Sequence, residues 1–258
     1  MTEKRAGERP SLSGYQNYKD LPDKQNAVRL HLDHARQESR QRLEPSLRSP
    51  DFLVYAERRK HIIDWLRRLP KNALAVLDLG GRICPYKTLL SSRATLYVCL
   101  DPQLEGLVDI VGIGEHMPFK DSSFSLVVCT QVLNYAASPD KLVSEIHRVL
   151  VPQGYLILSA PALFPRHHDE RWRFLPDGLK MLLANFSDIE IRPEGYSIAG
   201  ICRTINVSLK LVARDSYLIQ RILGLTVFPL LNLAGLLLDR FSRGKDFFTT
   251  NYVVLARK

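Results

Sequence analysis

Residues 76–86, VLDLGGRICPY, run an apolar stretch into a pair of glycines and then into a Pro–Tyr step. The short run Ala75–Leu79, apolar but for Asp78, predicts a strand covered on both faces, as in a mostly parallel sheet flanked by helices. A tight turn at the carboxyl end of such a strand lets backbone approach a ligand closely, which makes Asp78, Gly80 and Gly81 candidate binding residues. A purely structural turn explains a glycine pair equally well. Further on, TLYVCLDP (residues 95–102) ends a second strand in Asp101, where a carboxylate can accept hydrogen bonds from ribose hydroxyls. Strand, turn and spaced acid together predict a nucleoside pocket.

Outward from this core, short apolar runs alternate with helical periodicity. The predicted strands are Ala75–Leu79, Thr95–Leu100, Asp109–Val111, Leu126–Thr130, Tyr155–Ser159, Ile189–Arg192 and Tyr252–Ala256. Helices are expected at Lys87–Leu90, Pro139–Val149, Pro176–Ala184 and in several segments within Ile205–Arg243. The fold class is therefore α/β with helices on both faces of the sheet. Residues 1–50 are polar and broken by Pro10, Pro22, Pro45 and Pro50, which predicts an N-terminal arm with one helical stretch near Asn26–Leu43. Phe52–Leu69 reads as an amphipathic helix stopped by Pro70. The expected division is an arm at 1–50 and one domain at 51–258, with a helical apolar insertion at about 205–245.

The 258 residues suffice for one such domain, and 45% apolar with 24% charged residues indicates a packed globular core. The net charge of +9 is spread along helices without a run of five like charges, so no nucleic-acid partner is expected. Cys84, Cys99, Cys129 and Cys202 have no metal-ligand spacing, and neither a metal cluster nor a disulfide framework is indicated. Their pattern, with no apolar leader at the N-terminus, points to a reduced cytoplasmic setting.

The stretch 115–161 carries EHMPF (115–119), QVLNY (131–135) and EIHRVLVPQG (145–154). It resembles the shared central stretch of class I S-adenosylmethionine-dependent methyltransferases, with its LPF-type loop, VLEH-like turn and E-x-x-RVL-x-P-G-G segment. The resemblance covers about residues 74–195. It implies a Rossmann-like seven-stranded, mostly parallel sheet with an antiparallel last strand, and S-adenosyl-L-methionine as methyl donor. By position, Gly80 and Gly81 approach the methionine part, supported by Asp78, and Asp101 the ribose. Gly114, Glu115 and His116 face the adenine, with apolar packing from Ile113, Met117 and Phe119. Gln131 lies near the methionine end, and Asn134 and Tyr135 form the floor beneath the methyl group. The chain departs from the family at Arg82, where a second Gly is usual, at Cys84, and at Ile113, where an Asp commonly holds adenine. Arg82 has two possible courses: into the cofactor's place, or outward.

FPRHHDERWRF (164–174) resembles the His/Asp-rich loop of bacterial methyltransferases from glycan and natural-product pathways. His167, His168, Asp169 and Glu170 are groups able to take a proton from an acceptor hydroxyl, with Tyr135 the further catalytic candidate. The plain alternative is a surface loop with locally satisfied imidazoles. ILGLTVFPLLNLAGLLL (222–238) is uncharged, with basic residues on both sides. About 20 apolar residues are needed to cross a bilayer. This run reads instead either as a peripheral contact with the inner membrane face or as a helix packed beside the sheet. The resulting expectation is O-methylation of a sugar, lipid-linked glycan or related small metabolite. The alternatives are a non-catalytic scaffold of the same fold; a nicotinamide oxidoreductase, whose G-x-G-x-x-G turn Arg82 breaks; and a nucleic-acid methyltransferase, whose (D/N)PP(Y/F) tetrapeptide does not follow Leu126–Thr130.

Overall fold

In the computed structural model, which describes residues 24–69, 73–165 and 169–258 with side chains from residue 31 onward, the strands assemble into one seven-stranded sheet. In chain order the elements are α1 (Lys24–Leu43), α2 (Phe52–Arg68), β1 (Leu74–Leu79), α3 (Lys87–Leu90), β2 (Ala94–Asp101), β3 (Ile110–Val111) and β4 (Phe124–Thr130). There follow α4 (Pro139–Val149), β5 (Leu150–Pro161), α5 (Pro176–Leu182), β6 (Ser187–Pro193), α6 (Ser197–Val212), α7 (Tyr217–Leu225), α8 (Val227–Leu238), a short 3₁₀ turn (Asp239–Ser242) and β7 (Asn251–Arg257).

The sheet order is β3-β2-β1-β4-β5-β7-β6, all parallel except β7, which runs antiparallel to both neighbours. Strand alternation sorts the apolar side chains onto two faces. Leu77, Leu79, Val127, Leu156 and Leu158 pack with Leu142, Ile146 and Leu179 of α4 and α5. Val76, Leu126, Val128 and Ile157 pack with Ile62, Trp65, Leu66 and Leu90 of α2 and α3. Both faces being buried explains why β1 and β4 read as continuous apolar runs rather than as alternation. The sheet grows in opposite directions from β1 and β4, so the crevice at their carboxyl ends is the place where this architecture binds ligands.

Two local readings change. β5 begins at Leu150 rather than at the expected Tyr155, so Pro152–Gly154 lies inside it; there Gln153 adopts φ 67° and the register shifts opposite Phe124/Leu126. The sulfurs of Cys84 and Cys99 are bonded, against the expectation of no disulfide. Parallel pairing sets Asp78 beside Cys99, and the turn after β1 folds Cys84 back onto it.

The helical section between β6 and β7 packs chiefly on itself and α2. α8 buries Phe228, Asn232 and Gly235. Asn232 receives a bond from Asn206 of α6 and donates to the carbonyls of Leu47 and Ser49. Tyr217–Ser242 forms a nearly continuous 26-residue helical segment with an 18-residue stretch of mean hydropathy 1.9, long and apolar enough to cross a membrane by length and composition, which the shorter run 222–238 did not suggest.

Candidate functional site

β1 delivers Gly80 to the crevice with φ +73°, a left-handed conformation that glycine adopts without strain. A Cβ there would stand 2.3 Å from Val132 Cγ2, so the turn after β4 closes directly over it. The main-chain N–H groups of Gly80 and Gly81 both donate to Leu100 O, at 2.8 and 3.1 Å, pinning the turn to β2. A cleft of about 410 Å³ opens here, lined mainly by Leu79, Gly80, Leu100, Pro102, Ile113 and Gly114 on one side and by Val132, Tyr135, Ala136 and Leu142 on the other. Glu115 and His116 stand at its rim.

Asp101 sits between the two lining residues Leu100 and Pro102, half-buried at the end of β2. Burial raises its carboxyl above the ordinary range, opposed by the Gln103 N–H that donates to Oδ1 at 3.0 Å. Glu115 receives the Ala137 N–H at 2.8 Å, tying the 113–116 turn to the segment after β4.

Arg82 takes the outward course. Its guanidinium pairs with Glu38 of α1 at 3.0 Å, away from the cleft, while its carbonyl receives the Leu107 N–H. Ala35 of α1 packs beside Gly106, where a Cβ would come within 3.1 Å of it. The N-terminal helix therefore rests on the loops flanking the crevice.

Four residues expected at the cleft, Gly81, Met117, Phe119 and Asp78, fall elsewhere. Gly81 faces Cys99, its missing Cβ allowing β1 and β2 to approach. Met117 is buried in the core, because Glu145 and Arg148 of α4 clamp its N–H and carbonyl. Arg148 also donates to Phe119 O and Asp121, so the E-x-x-R pattern serves to hold the 117–121 loop, and Phe119 packs on Phe124 rather than in the cleft. Asp78 is buried beneath the turn, receiving the Tyr97 hydroxyl at 2.6 Å; burial pushes its carboxyl up to about 7, with the Tyr97 bond opposing.

A second, polar cavity of about 590 Å³ adjoins the cleft through Tyr135, which lines both. Gln131, expected at the methionine end, lines this cavity, with φ 60° and its Nε2 donating to Ser159 Oγ at 3.1 Å. Ser159 passes the chain to Glu194, and Glu194 forms a bidentate pair with Arg58 at 2.7 Å, with Arg58 only 1% exposed. Arg203 pairs with Asp51 at 2.8 Å and stacks over the Phe164 ring. Burial alone would raise the Asp51 carboxyl, yet the Arg203 charge and hydrogen bond outweigh it and hold it below the usual range.

From the 164–174 loop, Glu170 lines the cavity, receiving Asn134 Nδ2 at 2.9 Å and pairing with Arg173 at 2.6 Å. Asp169 is exposed outside the cavity lining. His167 and His168 lie outside the described residues. Asn134 O receives the Arg171 and Trp172 N–H groups, and Trp172 Nε1 donates to Ala136 O, which anchors the loop. Tyr135 has its hydroxyl raised above the ordinary value by burial and then by the Glu170 charge. It is a hydrogen-bond donor at neutral pH and no base. The buried groups Arg58, Glu194 and Ser159 were not found from the sequence. An Arg within the apolar periodicity of α2 was the available signal.

A profile described as a methyltransferase domain matches residues 88–158. The chain is 36% identical over 91 residues to the thiol S-methyltransferase TMT1B of Rattus norvegicus, across 31% of this chain and 37% of that protein. It is 29% identical over 118 residues to the probable pectin methyltransferase QUA2 of Arabidopsis thaliana, across 40% of this chain and 17% of that one. The chain thus spans well under two thirds of these relatives. Among solved structures, the Haemonchus contortus phosphoethanolamine N-methyltransferase 2 in complex with S-adenosyl-L-methionine superposes with TM-score 0.51 at 14% identity, over 85% of this chain and 60% of that one. The [4+2]-cyclase SpnF does so with TM-score 0.51 at 18% identity, over 79% and 81%. A cyclase among these folds means that the architecture alone does not carry an activity. Sheet order, the crevice at Gly80 and the profile over 88–158 agree in likening the chain to the class I S-adenosylmethionine-dependent methyltransferases.

Proposed function

We propose that the protein transfers a methyl group from S-adenosyl-L-methionine to a hydroxyl of a polar acceptor, a sugar, lipid-linked glycan or related small metabolite. The carrying observation is that the apolar cleft and the polar cavity meet at Tyr135. The cofactor fits the residues present. Asp101, between the lining residues Leu100 and Pro102, would meet the ribose, Gly80 the methionine part, and Ile113, Gly114, Glu115 and His116 the adenine, while Arg82 leaves the cleft open. When bound, S-adenosylmethionine supplies an activated methyl, so the protein's task is mainly alignment and exclusion of water.

Tyr135 and Gln131 orient the acceptor oxygen at the junction. Gln41, Ser46, Ser49 and Tyr55 supply neutral hydrogen-bonding groups suited to a polyhydroxyl acceptor. The acceptor proton passes to the 167–170 segment, with Glu170 at the cavity wall and His167 and His168 beside it in sequence; Asp169 stays outside, toward solvent. Residues 51–258 form the catalytic domain, and the segment 222–238 makes a peripheral contact with a membrane at the cytoplasmic side, which suits an acceptor on a lipid. The non-catalytic alternative drew on Arg82 and Ile113; the outward course of Arg82 weakens the first ground, while Ile113 stands in the cleft wall.

The test is S-adenosylhomocysteine release from the purified chain with a panel of hydroxylated acceptors, compared with His167→Asn, His168→Asn and Glu170→Gln. Turnover with at least one polar hydroxyl acceptor, reduced in those variants, supports the reading. Turnover confined to thiols or amines, or no turnover across the panel by protein that binds cofactor, contradicts it.

A further inference from the structure

Between α2, the end of β6, α6 and α8 lies a third cavity, of about 640 Å³, which shares no lining residue with either site above. Lys60, His61, Arg192, Arg240 and Arg243 line it, against two acids, Glu57 and Asp239. Asp239 is already committed, because it accepts the Tyr196 and Ala199 N–H groups at the start of α6 and the Ser242 hydroxyl. Glu57 pairs with Lys60, and Arg192 with Asp64 and Glu190. Among the described residues, Arg240 and Arg243 have no carboxylate within ion-pair distance. The cavity therefore holds uncompensated positive charge.

Its wall also includes Leu236 of α8, 44% exposed. From there the outer face of α8 continues as Leu230, Leu233, Leu237 and Phe241, all exposed, and α7 has no buried residue at all. The inner stripe Phe228, Asn232 and Gly235 is satisfied by α6 and α2, so this outer face is left without a partner among the described residues. An apolar helix face bordered by Arg243 and by Arg240, whose guanidinium lies over the Phe241 ring, matches the interface of an anionic bilayer: acyl chains against the leucines, phosphates against the guanidiniums.

We propose that this cavity binds the phosphate of an anionic phospholipid headgroup while α7 and α8 lie in the membrane interface. The proposal rests on the peripheral-membrane reading of 222–238 and adds a specific headgroup site to it. Full-length protein is co-sedimented with vesicles of phosphatidylcholine, with and without phosphatidylglycerol, in three forms: wild type, Arg240→Gln/Arg243→Gln and Leu233→Asn/Leu237→Asn. Glycerol phosphate is titrated separately.

Wild type is expected to bind the anionic vesicles preferentially. The arginine pair should lose about 25-fold in that affinity, at about 5-fold per basic residue near the surface. The leucine pair should lose vesicle binding but keep wild-type affinity for glycerol phosphate. Undiminished anionic binding by the arginine variant overturns the headgroup site while leaving the membrane reading standing. Absence of vesicle binding by folded wild type overturns both, as does a dimer in solution that the leucine changes abolish. Glycerol phosphate binding with which vesicles do not compete assigns the cavity to a free phosphate and overturns the lipid.

Discussion

The cleft at Gly80 and the cavity beside it are built in opposite ways. The cleft is shaped by the backbone turn after β1 and walled mainly by apolar side chains, Leu79, Leu100, Ile113, Val132, Ala136 and Leu142, with few polar groups among them. The cavity gathers Glu38, Arg58, Gln131, Glu170 and Arg203 from distant parts of the chain, with Arg58 and Arg203 fixed by buried ion pairs to Glu194 and Asp51. Backbone geometry suits a ligand common to a whole family, whereas side chains drawn from separate elements suit one that differs among members. The acceptor end therefore depends on tertiary assembly, and the cofactor end on local conformation.

The strongest way to break this contrast is at the cavity's deepest pair. Arg58→Met strands Glu194 in the interior and should cost about 3–5 kcal/mol in chemical denaturation, while Arg58→Met/Glu194→Leu recovers most of it. Equal stability of the single and double variants would mean that the pair does not organise the cavity. Next, Glu170→Gln should slow methyl transfer about 100-fold with cofactor affinity unchanged, as measured by initial rates beside a cofactor titration. A parallel loss of cofactor affinity would merge the two regions into one site. At the cleft, Gly80→Ala combines a positive φ with a collision at Val132. It should weaken S-adenosylhomocysteine binding by about tenfold or more, and Val132→Ala in the same chain should return part of it.

A smaller effect concerns Asp78. Its carboxyl sits at about 7 in the folded protein against an ordinary 3.8, so the folded state holds a proton through that window which the unfolded state has lost. This contribution is fully present below pH 3.8 and is lost as pH rises through about 7. Asp78→Asn removes it. The Tm of the variant relative to wild type should climb across the window, by about 3 °C or more, and level off above it. A constant difference would show that Asp78 is not held protonated. The smallest effect is expected at Arg82. Arg82→Ala breaks a partly exposed pair with Glu38 and should change cofactor affinity less than about fivefold.

Asp101, Gly80 and the α4 periodicity were legible in the sequence because each is a local relation between neighbours in the chain. Met117 looked like part of the cleft wall, since its position after Gly114 is fixed by sequence. Which way it turns is decided by Glu145 and Arg148, a helix away. The Arg58–Glu194 pair spans 136 residues, and no spacing rule connects them. Cys84 and Cys99 meet only because β1 and β2 are adjacent and in register. The outward course of Arg82 depended on α1 arriving with Glu38, which composition alone could not specify.

The central claim is that the crevice between Gly80, Asp101 and Gly114 holds S-adenosylmethionine. Calorimetric titration of S-adenosylhomocysteine into the full-length protein tests it most directly, with Asp101→Ala alongside. The account predicts saturable binding at one site, weakened by about tenfold or more when the Asp101 hydrogen bonds to the ribose are lost. No saturable heat from folded protein at millimolar ligand, or equal affinity in the Asp101 variant, would contradict it.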